Sequence, residues 1–345
     1  MTIPTTHSTT RRRALLGVAA LSAAAFGVLL IRSAAAPATA PGKNGQIAFR
    51  RYLGPNRTKG AIFIASPDGT GERQLTTAPA KASDDFPDVS ADGRLVAFQR
   101  CRNACGVYVV NADGTGLRRV DRGGCRGVRL PPGCTDNSNP AISPDGTEIA
   151  FARAFGRIRH DQIDHVGIYR VRLDGTGLRR ITLPATRTAE DVEPQRSPDG
   201  RQIVFVRHNV TARPRNKQAV MVVNADGTAP HRVTPYAIKA GDGPDWSPDG
   251  IQILFRSPET EDFTHCNIWS IHPDGSGLRQ ITHAAPQTKI YSASFSPDGT
   301  AITFGMTGLN AQADVWRINL DGSAQAPVTR TPQWDSAPDW GPAAG

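Results

Sequence analysis

Short apolar runs recur along the chain, and a turn signal bounds each of them. One kind of run follows a Ser-x-Asp-Gly turn, as Ile203–Phe205 follows Ser197–Gly200. A second kind precedes an Asp-Gly pair, as Val220–Val223 does. Such runs are typical of β-strands, and Asp-Gly between two of them predicts a hairpin. The pattern predicts an all-β protein, and the 34 Gly and 27 Pro agree with many tight turns.

The two turn signals alternate in a repeat of about 50 residues. The Ser-x-Asp-Gly turns begin at Ser90, Ser143, Ser197, Ser247 and Ser296, and the Asp-Gly pairs begin at Asp68, Asp113, Asp174, Asp226, Asp274 and Asp321. Each repeat therefore encodes two hairpins, or four antiparallel strands that we label A to D. A four-stranded sheet at this period predicts a blade of a β-propeller.

The count of hairpins predicts how the repeat array closes. There are six C–D hairpins but five A–B hairpins, because the first repeat begins with a B strand at Gln46–Phe49. The missing A strand lies at the other end, in Asp335–Gly341, where Pro338–Trp340 matches Pro244–Trp246. We therefore predict six blades closed by the C-terminal strand joining the first blade, which leaves no exposed sheet edge.

Residues 1–40 have the layout of an export signal rather than of a blade. Three arginines, Arg11 to Arg13, precede an apolar run at 14–31 and small residues at 33–40. Arg12-Arg13 with Leu15 and Leu16 indicates twin-arginine export, with the general secretory route as the alternative. Cleavage is expected near Ala38, although the apolar run is long enough to serve as an uncleaved anchor. The predicted organisation is a signal or anchor at 1–40 and a propeller at 41–345.

Removing residues 1–40 with their four arginines lowers the formal net charge from +9 to +5. The remaining basic residues are spread singly along the chain, without the basic stripe and interleaved aromatics of a nucleic-acid-binding protein. No nucleic acid is therefore expected as a partner.

Four of the five cysteines lie close together in sequence. In an exported protein this favours two local disulfides, Cys101–Cys105 and Cys125–Cys134, with Cys266 left unpaired. A zinc site is the alternative, but it would favour closer pairs.

These motifs resemble the TolB-like propeller repeat, also called the WD40-like or PD40 repeat. Pro-x-Trp-Ser-Pro-Asp-Gly, an Ile-x-Phe strand, an Ile-Tyr or Ile-Trp strand and Asp-Gly recur over essentially all of residues 44–341. Ala91 replaces the usual Pro in the second blade. The resemblance implies the architecture, whereas its motif residues build turns and blade cores.

Two groups of residues are candidates for a binding site at the channel mouth. The acidic group precedes the A strands and consists of Asp84, Asp85, Asp136, Glu190, Asp191, Asp242 and Asp335. Such a ring could hold a cation or, as the TolB resemblance implies, receive a basic partner segment, whereas the alternative is that the carboxylates cap loop amides.

The second candidate group consists of histidines in the connecting loops: His160, His165, His208, His265 and His283. Propellers that cleave pectate fragments hold a divalent metal with His and Gln, which makes a divalent cation the alternative to the expected absence of a cofactor. Solvated loop histidines are the simpler interpretation. No Gly-x-Ser-x-Gly motif is present, so a propeller-linked serine hydrolase is excluded.

The favoured hypothesis is a non-catalytic, extracytoplasmic interaction module that binds a protein or peptide at the loop face and channel mouth. The alternative is a metal-assisted lyase or hydrolase that acts on an acidic saccharide. A third hypothesis is a sensory ectodomain held to the membrane by an uncleaved signal.

Overall fold

A computed structural model describes residues 41–102, 104–121, 135–155, 165–184, 189–209, 218–258, 265–286, 288–307 and 312–345. Within these ranges the regular structure is β-strand, apart from one 3-10 helix at Tyr236–Ile238. The all-β prediction is confirmed. No helix in the described part of the chain is long and apolar enough to cross a membrane. The predicted export segment, residues 1–40, lies outside the described residues.

The strands follow one another at the predicted spacing. In chain order they are β1 (Asn44–Tyr52), β2 (Gly60–Ala65), β3 (Arg73–Gln74), β4 (Ser83–Val89), β5 (Leu95–Cys101), β6 (Cys105–Asn111), β7 (Arg118–Arg119), β8 (Thr135–Ile142), β9 (Glu148–Phe155), β10 (His165–Arg172), β11 (Arg179–Arg180), β12 (Ala189–Arg196), β13 (Gln202–Asn209), β14 (Gln218–Asn224), β15 (His231–Arg232), β16 (Gly241–Trp246), β17 (Ile253–Pro258), β18 (Cys266–Ile271), β19 (Arg279–Gln280), β20 (Lys289–Phe295), β21 (Ala301–Thr307), β22 (Ala313–Asn319), β23 (Ala326–Pro327) and β24 (Trp334–Pro342).

These strands pair into four-stranded antiparallel units, which we number along the chain. Unit 1 is β24-β1-β2-β3, so the C-terminal strand lies beside the first strand. Units 2 to 6 are β4–β7, β8–β11, β12–β15, β16–β19 and β20–β23. A single parallel pair, Val166 with Glu190, links units 3 and 4, and Cys266 with Lys289 links units 5 and 6. The first strand of each unit is its A strand, and β24 is the A strand of unit 1.

The Ser-Pro-Asp-Gly turn is held together by its own side chains. In unit 3 the Ser143 hydroxyl donates to Asp145 Oδ1 at 2.5 Å and accepts the Glu148 N–H at 3.0 Å. Gly146 has a φ of 67°, a conformation that glycine adopts without a Cβ penalty. The corresponding serines, Ser90, Ser197, Ser247 and Ser296, make the same two bonds. The hydrogen bonds that stabilise this turn between the A and B strands therefore come from residues of the turn and of the strand that follows it.

The B strands supply most of the large core side chains, beside Trp246 and Phe295 of the A strands. Each unit contributes one phenylalanine from its B strand, and each of the six is at most 1% exposed: Phe49, Phe98, Phe151, Phe205, Phe255 and Phe304. These are the phenylalanines of the predicted apolar runs. Burying a side chain of this size stabilises the fold by roughly 1.5–3 kcal/mol.

The core lies between neighbouring units rather than within one sheet. Ala97 and Val107 of unit 2 pack with Phe151 of unit 3 in one buried cluster. Units 1 and 2, units 4 and 5, and units 5 and 6 share buried clusters of the same kind. Unit 6 also packs against unit 1, where Val315 shares a cluster with Phe49. Each sheet thus covers its neighbour's apolar face, which is how sheets without helices bury their surface.

Candidate functional site

Each unit has two different ends. In unit 2, Ser83 at the start of the A strand pairs with Cys101 at the end of the B strand, and Cys101 pairs with Cys105 at the start of the C strand. The starts of the A strands and the B–C connections therefore lie together, at what we call the loop end. The Ser-Pro-Asp-Gly and Asp-Gly turns lie at the opposite, turn end. All of the predicted acidic residues lie in the loop-end half of their A strands.

The A strands contain a bulge shortly after those acidic residues. Phe86, Asn139, Glu193 and Ala337 have φ values between 51° and 56°, and each precedes a proline. Proline disfavours the right-handed helical region for the residue before it, and a bulge re-aims the side chains that follow. The pairing with the B strand shifts at this point, for example between Asp85 and Asp88. Counted back from the proline of the bulge, the predicted carboxylates occupy three registers: three residues before it in the first, two in the second and four in the third.

The first register contains three fully buried carboxylates, and each accepts two hydrogen bonds from an arginine of the adjacent B strand. The pairs are Asp84 with Arg100 (2.5 and 2.7 Å), Asp191 with Arg207 (2.6 and 2.8 Å) and Asp335 with Arg51 (2.7 and 2.8 Å). Each aspartate is directly opposite its arginine in the strand register and is 0% exposed. Such bidentate pairs satisfy both oxygens of the carboxylate and fix A strand to B strand.

The second register contains Asp85 and Asp242, which are also buried and paired. Asp85 accepts a hydrogen bond from Arg50, which belongs to the neighbouring unit 1. Asp242 forms an ion pair with Arg256 within unit 5. Burial raises the pKa of Asp85 above its usual value, and the Arg50 charge acts against this rise.

The third register contains Asp136 and Glu190. Asp136 accepts the backbone N–H of Cys105 from the preceding unit at 2.6 Å, and burial raises its pKa. Burial also raises the pKa of Glu190, to about 7. The structure therefore distributes the predicted acidic group between internal ion pairs and half-buried single carboxylates.

A deeper set of carboxylates was missed by the sequence analysis. Asp88, Asp245 and Asp339 follow the bulge prolines and accept a backbone N–H from the A strand of the next unit. The donors are Ile142 at 2.6 Å, Phe295 at 2.8 Å and Val89 at 2.5 Å, respectively. The signal was present in the repeated Pro-Asp dipeptide, which the sequence analysis used only to match strands.

These deeper carboxylates are buried close enough to influence one another. Burial raises the pKa of Asp339 to about 8. Burial, followed by the negative charges of Asp339 and Asp245, raises the pKa of Asp88 well above its usual value. Burial disfavours the charged form of a carboxylate, so Asp88 and Asp339 retain protons at neutral pH.

The predicted histidines are not brought together in the described part of the chain. His208 has an Nε2 without a hydrogen-bond partner, and burial lowers its pKa to about 4. His265 contacts the Ala284 carbonyl at 2.9 Å, and His283 is exposed. His160 and the side chain of His165 lie outside the described residues. Among the described residues, no three His, Cys, Asp or Glu side chains form a group that could hold a metal ion.

One predicted disulfide, Cys101–Cys105, is present at the loop end of unit 2. Cys125 and Cys134 lie outside the described residues. Cys266 is buried and is not in a disulfide.

Aromatic side chains collect at the loop end where units 6 and 1 meet. Tyr52 and Trp334 are opposite each other in the pairing of β1 with β24. Tyr291 of unit 6 meets the Trp334 ring edge-on, with 5.4 Å between ring centroids. We call Tyr52, Tyr291 and Trp334 the aromatic patch. The sequence analysis did not identify it, because its members come from distant parts of the chain.

Two TolB proteins are similar to this chain in sequence. It is 30% identical over 100 residues to the Tol-Pal system protein TolB of Anaeromyxobacter dehalogenans, covering 28% of this chain and 21% of that protein. It is 24% identical over 261 residues to the Tol-Pal system protein TolB of Francisella tularensis, covering 74% of this chain and 54% of that protein. The chain therefore spans about half or less of the length of these relatives.

Solved structures share the fold at low sequence identity. TolB from Acinetobacter baumannii matches with a TM-score of 0.62 and 17% identity, covering 86% of this chain and 67% of that chain. An oligogalacturonate lyase in complex with manganese matches with a TM-score of 0.54 and 14% identity, covering 84% and 76%.

The model of one family matches more than half of the sequence. It is described as the TolB beta propeller domain, PD40, and it matches residues 133–344. This agrees with the resemblance noted from the repeat motifs and with the pairing of strands into four-stranded units. The chain belongs to the TolB beta propeller domain family.

Proposed function

We propose that this protein is a non-catalytic, extracytoplasmic interaction module that binds a protein or peptide at its loop end. The observation that carries the proposal is the difference between the two ends. The turn end repeats the same Ser–Asp hydrogen bonds from unit to unit, whereas the B–C connections at the loop end vary from residues 102–104 to residues 156–164. In repeat proteins, the residues that bind a partner often lie in loops whose length and sequence differ from one repeat to the next.

The family supports a protein partner. The relatives named above are Tol-Pal system proteins, and their name describes a multi-protein system. By analogy, the partner of this chain is a protein rather than a small molecule.

We further propose that the six units form a six-bladed propeller closed through unit 1. The pairing of β24 with β1 and the buried cluster shared by units 6 and 1 support this closure. A closed ring leaves the loop end as one continuous face around a central channel, and the predicted acidic residues would lie near its mouth.

Export by the segment at 1–40, by the twin-arginine route, remains part of the proposal. The Cys101–Cys105 disulfide supports an oxidising compartment. Amino-terminal sequencing of the mature protein tests it: a start near Thr39 indicates cleavage, whereas an intact terminus in the membrane fraction would favour the anchored sensory ectodomain.

The alternative, a metal-assisted lyase or hydrolase for acidic saccharides, draws support from the fold shared with oligogalacturonate lyase. The described histidines His208, His265 and His283 make no common site, so we place this function second. Release of unsaturated uronates from polygalacturonate in the presence of Mn²⁺ would reverse that order.

Photo-crosslinking from the two ends tests the binding proposal. Leu53 at the loop end is 38% exposed and Ile251 at the turn end is 57% exposed, so each can be replaced by a photoreactive phenylalanine without disturbing the core. We expect one discrete protein adduct in cells from position 53 and none from position 251. Adducts of equal yield from both positions, or from position 251 alone, would contradict binding at the loop end.

A further inference from the structure

One B-strand arginine faces an asparagine where its counterparts face an aspartate. Four units carry an arginine two residues after the B-strand phenylalanine, and in three of them it is bonded to the aspartate of the first register: Arg51, Arg100 and Arg207. In unit 3 the arginine is Arg153, and the residue opposite it in the pairing of β8 with β9 is Asn137. Asparagine is neutral, so unit 3 keeps the cation of this ion pair without its acid.

Both side chains have a buried polar atom without a hydrogen-bond partner. These atoms are the Arg153 Nη1 and the Asn137 Oδ1. Asn137 is 0% exposed, and its Nδ2 donates to Asp121 of unit 2, which identifies the other amide atom as the oxygen. Arg153 as a whole is half-buried, so part of its side chain is open to solvent. An unpaired buried donor and acceptor cost free energy, which hydrogen bonds to a ligand would offset.

Asp121 acts on Arg153 through its charge, but its hydrogen-bonding capacity is used elsewhere. Its Oδ1 accepts the Val107 N–H at 2.9 Å and the Arg119 Nε–H at 2.8 Å. Its Oδ2 accepts Arg119 Nη2 at 3.0 Å and the Asn137 Nδ2. Two hydrogen bonds occupy each oxygen, so Asp121 has no lone pair left for Arg153. One carboxylate therefore serves two arginines.

The other acids near this place in sequence differ in how far the structure describes them. Asp136, the residue before Asn137, accepts the Cys105 N–H at 2.6 Å and forms no ion pair with Arg153. Asp161 and Asp164 lie outside the described residues, so the experiment has to include them.

The charge of Arg153 is less well compensated than that of its counterpart in unit 4. The hydrogen bonds to Asp191 raise the pKa of Arg207, whereas burial lowers the pKa of Arg153. The Arg153 guanidinium carbon lies 5.5 Å from the centroid of the Tyr169 ring. A guanidinium over an aromatic face keeps its N–H groups in its own plane, where they match the two oxygens of a carboxylate.

We infer that Arg153, with Asn137 beside it, binds a single carboxylate group at the loop end of unit 3, and that an aspartate or glutamate side chain of the partner protein supplies it. The inference rests on the proposed function and gives the chemistry of one partner contact. The ligand carboxylate would take the part that Asp191 plays for Arg207, where it accepts two hydrogen bonds.

A peptide fits this place better than a saccharide. Aspartate and glutamate carry the carboxylate on a narrow methylene stem, which can reach a half-buried guanidinium, whereas a uronate carries it directly on a sugar ring. The backbone N–H groups of a peptide also supply a donor for the Asn137 Oδ1.

Thermal unfolding of the full chain, in the form that the cell exports, tests the site with formate as the probe and chloride at equal ionic strength as the reference. We expect formate to raise the midpoint of the parent by about 2 °C more than chloride does. Arg153→Gln and Asn137→Asp, which supplies its own carboxylate, should show no such difference. Asp191→Asn recreates the asparagine–arginine pair of unit 3 in unit 4 and should respond more strongly than the parent.

A parent that formate does not stabilise beyond chloride would overturn the inference. If the Asp161→Asn, Asp164→Asn double variant then gains the response, one of these acids already fills the site. An equal response of Arg153→Gln and the parent would show a general salt effect and overturn the inference as well. Should Asn137→Asp fail to fold because its carboxylate lies beside Asp121, Arg153→Gln alone decides.

The source of the carboxylate is tested in the same assay with poly-L-glutamate and polygalacturonate at equal carboxylate concentration. We expect the larger stabilisation from poly-L-glutamate and its loss in Arg153→Gln. A larger stabilisation by polygalacturonate that Arg153→Gln abolishes would assign the site to a saccharide and overturn the peptide.

The crosslink from position 53 separates this inference from the proposed function. Arg153→Gln should lower the yield of the adduct about fivefold or more, as expected for the loss of a hydrogen bond between charged groups. Arg201→Gln, whose arginine is 86% accessible at the turn end, is the matched control and should leave the yield unchanged. An adduct that Arg153→Gln does not affect overturns the inference and leaves the interaction module standing. If position 53 gives no adduct, the proposed function fails, and with it the partner side chain as the source.

Discussion

The Arg51 guanidinium donates two hydrogen bonds to the Asp335 carboxylate, at 2.7 and 2.8 Å, across 284 residues of sequence. Both side chains are buried, and the two residues face each other in the pairing of β1 with β24. Glu72 accepts two further hydrogen bonds from the same guanidinium. The two ends of the repeat array are therefore joined by a buried ion pair in addition to the backbone ladder.

Replacing Asp335 by Asn should destabilise the protein by about 3 kcal/mol, because it leaves the buried Arg51 charge with only Glu72, whose side chain is 30% exposed. The free energy of unfolding from urea denaturation measures the loss. Arg201→Gln is the control, since it removes an exposed pair at 4.0 Å from Asp199 and should cost less than about 1 kcal/mol. Equal losses in the two variants would show that the buried pair does not hold the ends together.

Asp339 should make the fold more stable as the pH falls from about 8 to about 6.5, and the raised pKa of Asp88 acts in the same direction. The pKa of Asp339 is raised to about 8 by burial, so the folded protein holds a proton that the unfolded chain has released. The folded state then binds more protons, and stability decreases as the pH rises, by at most about 1.4 kcal/mol per pH unit for one group and by about half of that at the folded-state pKa. Glu193, whose pKa burial raises to about 7, acts in the same direction.

Below about pH 6.5 the lowered pKa of His208 acts in the opposite direction, because the unfolded chain takes up a proton that the buried imidazole does not. The predicted trend is therefore read between pH 6.5 and 8, from urea denaturation at each pH. Asp339→Asn keeps an acceptor for the Val89 N–H without a titrating group and should flatten the trend. Asp321→Asn at an exposed turn should leave it unchanged, and an unaltered slope in Asp339→Asn would refute the assignment.

Removing the Cys101–Cys105 disulfide should lower the free energy of unfolding by about 2 kcal/mol, because the loop that it closes is short. The double variant Cys101→Ser with Cys105→Ser, compared by thermal unfolding with the parent under oxidising and reducing conditions, measures this. The parent under reducing conditions should match the variant. A parent insensitive to reductant would argue against the disulfide.

The repeat explains why the fold was predictable from sequence. Each Ser-Pro-Asp-Gly turn satisfies its own polar groups, as Ser143 and Asp145 do, so local sequence alone determines that connection. Five of the six B-strand phenylalanines pack in clusters shared with a neighbouring unit, as Phe151 does, so the repeat also determines the packing between units.

The loop end was less predictable because its chemistry depends on register. Sequence proximity grouped Asp84 with Asp85, but the strand places them against arginines of different units, Arg100 and Arg50. The bulge that follows Asp85 depends on a positive φ at Phe86, which no residue-type preference indicates. Tyr52 and Trp334 likewise become neighbours only when β24 pairs with β1.

Ala91 occupies the position at which the other four Ser-x-Asp-Gly turns carry proline, and Ala91→Pro should stabilise the protein by about 0.4–1 kcal/mol. Its turn has the same hydrogen bond from the glycine N–H, Gly93 to the Ser90 carbonyl at 2.9 Å, as Gly146 makes to Ser143 at 2.8 Å. In the described residues no acceptor receives the Ala91 N–H, so proline removes no hydrogen bond and only restricts the unfolded chain.

Pro144→Ala is the matched reverse substitution in the next unit, and it should destabilise the protein by a similar amount. Urea denaturation of the two single variants and of the double variant measures both effects. The two turns share no hydrogen bond, so the changes should cancel in the double variant to within about 0.5 kcal/mol. Destabilisation by Ala91→Pro would show that the second turn differs in backbone conformation from the other four.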